Sequence, residues 1–305
     1  MSNQLLFARL SEDGTHMLKV YENSVKLQKN GIDIWEKHEW RSTKFSTSIS
    51  PDNRFFTLGI RRFLTIHNCT DGSLIEEIGE YRGQNIMDVS WSPCSRYIAV
   101  ACGEVKNGLY VWDSYDGSIR EFSYHAHGVS FSPDGKYLSA CGRDENVSVW
   151  DTTTWEQKEL DNQPELWCTT WSPDGAHLVA TGREITLIYD THTLGHEPPA
   201  CIPIPFCIIE IKPSVVQKNW CLLYNATRIL VLDCDSKKFI ECFRIPATYN
   251  TLSSFGVIYP MSDRAELLEP NTHKIFPILS GIAGKSKKIL SDPRIWQKVL
   301  QYTLD

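Results

Sequence analysis

The closest grouping of residues able to do chemistry is His125-Ala126-His127. Imidazoles two positions apart on a strand share one side, and a Zn²⁺ ion held there needs two further ligands at suitable spacing. No neighbouring Cys or carboxylate pattern supplies them, so the pair reads as polar residues in a loop between strands. Ser, Asp and His recur along the chain but never form a Gly-x-Ser-x-Gly nucleophile elbow. A phosphate-cradling Gly-x-x-x-x-Gly-Lys loop is also missing. Ten cysteines are scattered without a Cys-x-x-Cys pair, several of them (Cys102, Cys141, Cys221) expected inside strands. A buried free thiol behaves as a small apolar group, and this usage fits a reducing compartment, cytosol or nucleus. The expectation is a protein that is not an enzyme, with no catalytic residue, cofactor or metal.

The elements that position these residues are announced by a recurring punctuation. Ser11-Glu12-Asp13-Gly14, Ser50-Pro51-Asp52-Asn53, Ser92-Pro93-Cys94-Ser95, Ser132-Pro133-Asp134-Gly135, Ser172-Pro173-Asp174-Gly175 and Lys212-Pro213-Ser214 begin 39, 42, 40, 40 and 40 residues apart. Self-similarity at that period signals one structural unit used repeatedly. Each mark precedes an apolar run such as Tyr97 to Cys102, Tyr137 to Cys141 or His177 to Thr181. A period-two run then ends in an aromatic or apolar residue followed by Asp: Trp112-Asp113, Trp150-Asp151, Tyr189-Asp190, Leu232-Asp233. Short β-branched and aromatic runs between Gly, Pro and Asp read as strands. The unit is therefore a four-stranded sheet, with Pro presetting φ and Gly accepting positive φ in the Ser-Pro-Asp-Gly turn.

On these residues the chain resembles the WD-repeat family over roughly residues 5 to 280, which implies an all-β fold of propeller blades. Trp112-Asp113 and Trp150-Asp151 carry the Trp-Asp pair itself, His67-Asn68 replaces it in another unit, and the Gly-His pair that opens such repeats is absent. Packing must then substitute for the family's His-centred hydrogen bonds. Five good units run from Phe45 to Ile245, a poorer one spans Leu5 to His38, and a last one threads through 255–260, 265–269 and 274–279, offset by 47 residues from Pro213 to Pro260. Seven four-stranded blades are expected, as one domain over residues 1–282. Closing a ring removes exposed edges. The first strand begins near Leu5, which leaves little N-terminal chain to complete the last blade, so an open edge filled by a partner is the alternative.

In this family the turn between the second and third strands of every blade lies on one face. Those turns hold Arg61, Arg62, Lys106, Arg143, Arg183 and Arg228, a cationic ring on a chain of net charge −6. Such a ring attracts an acidic peptide segment. The competing reading is solvated turn cations offset by Glu104, Asp144, Glu145 and Glu184. Arg61-Arg62 falls short of the cation cluster expected for lipid recognition. The net charge argues against nucleic acid as a general partner. Met1-Ser2-Asn3-Gln4 lacks a signal-peptide n-region, and no apolar run is long enough for membrane insertion. Beyond the repeats, residues 283–305 read as a basic linker (Lys285, Lys287, Lys288) and a short C-terminal amphipathic helix. That helix opens at Ser291-Asp292-Pro293 and carries an Ile295, Trp296, Val299, Leu300, Tyr302 stripe.

Within the family, residues 85–195 resemble the nucleoporin aladin, through Met87 to Pro93, Gly128 to Gly135 with Val149-Trp150, and Cys168 to Gly175 with Leu187 to Tyr189. Arg61 to Leu64 and Lys106 to Leu109 with Val111-Trp112 resemble the spindle-pole and centrosomal WD-repeat family about as well. Both resemblances imply a non-catalytic scaffold whose partners are other proteins of a multi-subunit complex. Aladin places it at the nuclear envelope and nuclear pore, and the second family at the microtubule-organising centre. The other class weighed is a propeller enzyme, which needs clustered carboxylates, often with Ca²⁺, at the channel mouth.

Overall fold

The repeated Ser-Pro string folds as one hydrogen-bonded turn. The Ser132 carbonyl accepts the Gly135 N–H at 2.8 Å, and Gly135 takes a φ of +72°. With that carbonyl engaged, the Tyr137 N–H bonds the Ser132 hydroxyl at 3.0 Å instead. The hydroxyl donates its own proton to Asp134 Oδ1 at 2.7 Å, and Asp134 also accepts the Lys136 N–H. Serine is required because its side chain stands in for its own carbonyl as an acceptor. The same bond joins Ser50 to Phe55, Ser92 to Tyr97 and Ser172 to His177, each at 2.9 Å, and Ser11 serves His16 likewise. Asn53, Ser95 and Gly175 occupy the positive-φ position of the other three turns.

The computed structural model describes residues 5–11, 15–21, 23–38, 45–78, 85–103, 107–142, 147–161, 166–204, 208, 210–213, 218–225 and 228–244. The first sheet comprises β1 (Leu5–Leu10), β2 (His16–Tyr21), β3 (Ser24–Lys29) and β4 (Ile32–His38). The second has β5 (Phe45–Ile49), β6 (Phe55–Ile60), β7 (Phe63–Asn68) and β8 (Leu74–Ile78). The third has β9 (Asp88–Trp91), β10 (Tyr97–Ala101), β11 (Leu109–Asp113) and β12 (Ile119–Phe122). The fourth has β13 (Gly128–Phe131), β14 (Tyr137–Cys141), β15 (Val147–Asp151) and β16 (Gln157–Asp161). The fifth has β17 (Leu166–Trp171), β18 (His177–Gly182), β19 (Ile185–Asp190) and β20 (Ala200–Pro203). The sixth has β21 (Glu210–Pro213), β22 (Trp220–Asn225), β23 (Arg228–Asp233) and β24 (Lys238–Arg244).

Every sheet is an antiparallel meander in chain order, and each first strand contacts the first strand of the next sheet from β1 through β5, β9, β13 and β17 to β21. First strands are thus innermost and fourth strands outermost, an arrangement consistent with propeller blades. The core lies between sheets. Leu18, Val20, Val25 and Leu27 meet Phe56 and Leu58; Leu64 and Ile66 meet Val89, Trp91 and Trp112; Val111 meets Phe131, Leu138 and Trp150. Gly128 marks a close approach of two inner strands, because a Cβ there would lie 2.7 Å from the Trp167 carbonyl oxygen of β17.

The Asp that ends β11, β15, β19 and β23 has a local structural task. Tyr115, Thr153 and His192 donate their N–H groups to Oδ1 of Asp113, Asp151 and Asp190 at 2.8–2.9 Å. Asp235 donates to Asp233 at 3.1 Å, and Thr70 to Asn68 at 2.8 Å. Only a carbonyl-type oxygen is needed for this turn, so Asn68 replaces Asp without loss.

Two details of the sequence expectation are corrected. Lys212-Pro213 is not the opening of a turn: Pro213 is the last paired residue of β21, opposite Cys221, the register that Trp171 holds opposite Leu178. Cys102 lies one residue beyond β10, not inside it. The expected seventh unit, the basic linker and the 291–302 helix lie outside the described residues.

Candidate interaction surface

Alternation of strand direction gives the molecule two ends. First-to-second and third-to-fourth strand turns share one; second-to-third turns and the links between sheets share the other. The described members of the expected basic set, Arg61, Arg62, Arg183 and Arg228, belong to the second end. Arg61-Arg62 is the two-residue loop between Ile60 and Phe63, and Arg183 opens the loop between β18 and β19. Lys106 falls between β10 and β11, and Arg143 between β14 and β15, both outside the described residues. Arg228 opens β23 opposite Asn225.

The backbone fixes these turns firmly. Arg61 sits at φ +52°, a region costly for a side chain with Cβ, and the Ile86 N–H bonds its carbonyl. Equivalent bonds run from the Ile208 N–H to the Gly182 carbonyl at 3.0 Å and from the Ile204 N–H to the Glu184 carbonyl at 2.8 Å. The segment entering or leaving a sheet therefore clamps the turn that presents the cation. Arg61, Arg62 and Arg183 are all exposed.

At the basic end the exposed Glu184 sits beside Arg183, while the opposite end gathers the aspartates that cap turns. Asp52, Asp71, Asp113, Asp116, Asp134, Asp151 and Asp190 all accept turn N–H groups there. Three of its cations are paired: Arg54 with Asp52 at 2.7 Å, Arg96 with Asp113 at 2.6 Å, Lys136 with Asp134 at 3.1 Å. Hydrogen bonds from Arg96 hold the Asp113 carboxyl below the usual carboxylate range. Sequence reading found the basic turns but missed this gathering of turn-capping aspartates; the signal was the Asp at the end of four of the six third strands, β11, β15, β19 and β23.

Little else is chemically poised. His125 and His127 lie in the 123–127 loop joining β12 to β13, and among the described residues no three His, Cys, Asp or Glu are grouped to hold a metal. Burial pushes the Cys69 and Cys102 thiols up to about 12 and raises Cys141 as well; the hydrogen bond with Cys234, together with burial, raises Cys221, and both effects suppress the nucleophilic thiolate. His67, in the place of the family Trp, is buried and lowered by desolvation. Its Nδ1 lies 3.0 Å from the Gly72 carbonyl and its Nε2 3.0 Å from the Thr65 hydroxyl. A carbonyl only accepts, so Nδ1 carries the proton of the neutral ring and Thr65 donates to Nε2.

Comparison with known proteins gives a consistent but distant relationship. Residues 63–187 match the family described as Eukaryotic translation initiation factor eIF2A, less than half of the chain. Periodic tryptophan protein 2 of Saccharomyces cerevisiae is 22% identical over 168 residues, covering 50% of this chain and 18% of that protein. Protein transport protein sec13 of Aspergillus fumigatus is 21% identical over 203 residues, covering 56% and 62%. An uncharacterised WD repeat-containing protein of Schizosaccharomyces pombe is 40% identical over 48 residues, covering 15% and 6%. The chain spans less than two thirds of each relative's length. These low-identity likenesses support the WD-repeat reading of the units.

Proposed function

We propose that this chain of WD-repeat-like units is a non-catalytic scaffold that holds other proteins in a multi-subunit assembly, capturing acidic segments on the rim formed by Arg61, Arg62, Lys106, Arg143, Arg183 and Arg228. The observation that carries the reading is the placement of turn-capping aspartates at one end and of exposed arginines on clamped turns at the other, where Glu184 offsets part of the charge beside Arg183. A rim of one sign steers oppositely charged segments even when the whole molecule has the opposite net charge. Seven blades over residues 1–282, with the 283–305 segment docked against them, complete the architecture we propose.

Assembly identity is a finer step. The likeness of residues 85–195 to aladin favours a nuclear-pore scaffold, and the spindle-pole likeness favours a microtubule-organising centre. A third placement, a scaffold in translation initiation, is favoured by the family match over residues 63–187. Cell imaging of the tagged chain separates nuclear rim, paired foci and diffuse cytoplasm. The binding claim is tested by affinity purification with mass spectrometry at native expression, comparing the natural chain with the Arg143→Glu/Arg183→Glu variant. Loss of partners at an unchanged melting temperature is expected; unchanged capture refutes the rim.

A further inference from the structure

One register position recurs on the outermost strands. Trp35 pairs with Leu27, Glu76 with Ile66, Arg120 with Val111 and Lys158 with Val149, each opposite the third residue from the end of the third strand. Three of the four reach the third-to-fourth-strand turn of the next sheet. The Trp35 indole covers Gly72 and lies 5.4 Å from the His67 ring. The Arg120 guanidinium sits 5.2 Å over the Trp155 ring. Lys158 Nζ donates to the Leu194 carbonyl at 2.6 Å. These side chains latch the first sheet to the second, the third to the fourth and the fourth to the fifth.

Among the described residues, the seam between the second and third sheets lacks its latch. Glu76 occupies the position, and alternation along the strand sends its side chain out on the face used by Trp35, Arg120 and Lys158. Glu76 is exposed, as are Leu74 (54%), Ile75 (48%) and Glu77 beside it. The turn it faces by register, 114–118, is exposed throughout, with Tyr115 at 87% even though the Arg96 guanidinium lies 5.5 Å from its ring on one side. Among the described residues, neither Glu76 nor Glu77 has a cation within ion-pair distance, and β8 has no strand on its outer side.

We propose that this seam docks an extended segment of a partner protein that alternates apolar and basic residues. The segment adds as a strand to the free edge of β8. Its apolar side chains cover Leu74 and Ile75, and an Arg or Lys enters the place that Arg120 and Lys158 hold in the next two seams, between the Glu76 carboxylate and the Tyr115 ring. Charge complementarity selects the occupant: an acidic segment is repelled by Glu76 and Glu77. The surface is separate from the basic turns and prefers the opposite charge, so the two stand or fall independently.

The test is fluorescence anisotropy of the full chain with a labelled octapeptide of alternating Val and Arg, beside a Val/Glu octapeptide and one with Pro replacing every Val. Binding of the Val/Arg peptide alone is expected. Glu76→Arg, which supplies the missing latch, should weaken it at least tenfold with the melting temperature unchanged or raised. Glu76→Gln, which only removes charge, should give an intermediate loss and keeps the test intact if the reversal disturbs folding. Glu121→Arg, the same charge change on the outermost strand of the third sheet, should leave affinity within twofold. The proposal is overturned if the natural chain does not bind the Val/Arg peptide, if the Pro peptide binds equally, or if Glu121→Arg weakens binding as much as Glu76→Arg.

Discussion

Truncating the turn serines gives a graded prediction. In Ser132→Ala and Ser172→Ala the carbonyl of residue 132 or 172 still accepts the N–H three residues on, but the N–H of Tyr137 or His177 loses its acceptor. Both serines are buried, so water does not replace the bond, and leaving a buried donor unsatisfied costs about 1–3 kcal/mol. The hydroxyl also donates to a carboxylate at 2.7 and 2.6 Å, a charge-assisted bond worth about twice a neutral one. We expect destabilisation of about 2–3 kcal/mol in each. Ser92 differs, because its hydroxyl faces the Cys94 thiol at 3.2 Å instead of a carboxylate; Ser92→Ala should cost about 1–2 kcal/mol. Urea denaturation measures the three losses, and hydrogen–deuterium exchange should show deprotection confined to the affected hairpin. Equal losses in all three variants, or less than about 0.5 kcal/mol in Ser132→Ala, would refute the substitution of hydroxyl for carbonyl.

Gly128→Ala should destabilise by about 2 kcal/mol or more, because its Cβ meets the backbone at Trp167 and Cys168, where no side chain can move aside; a shift in urea midpoint measures it. His67 is neutral when folded and its affinity for protons is lowered, so the unfolded chain binds more protons as pH falls below about 6.5. Stability should therefore decline from pH 7.5 toward the folded value, and less steeply in His67→Gln; parallel melting curves for the two proteins would contradict the neutral assignment. Asp151→Asn should be nearly neutral and Asp151→Ala should lose about 1 kcal/mol in the same denaturation assay, since the Thr153 and Thr154 N–H groups need only an oxygen acceptor.

The repeat was legible because turn chemistry is local. Ser50, Ser92, Ser132 and Ser172 announce their turns through bonds within five residues, so their spacing carries the period directly. The sixth mark slipped because Pro213 ends a strand, and a dipeptide does not reveal strand pairing. The latches were hidden for a related reason. Bulges between Leu27 and Gln28 and between Ile66 and His67 displace the count by one residue, so Trp35, Glu76, Arg120 and Lys158 share a position only once pairing is known. The basic turns could be placed because Arg61 and Arg183 lie next to short apolar runs whose ends are visible in sequence.

A chain with more acids than bases can still offer cations to a partner, and the reason lies in where the fold spends its carboxylates. The Asp that ends a third strand and the Asp of a Ser-Pro turn both accept backbone N–H groups, and antiparallel alternation puts both at one end of every sheet. From the second sheet on, these caps add negative charge to the same end, while the second-to-third-strand turns, which need no side-chain acceptor, are free to carry Arg or Lys. The polarity is a consequence of turn chemistry multiplied by repetition, and it follows that substituting one aspartate perturbs a hairpin while substituting one arginine changes only the field at the rim.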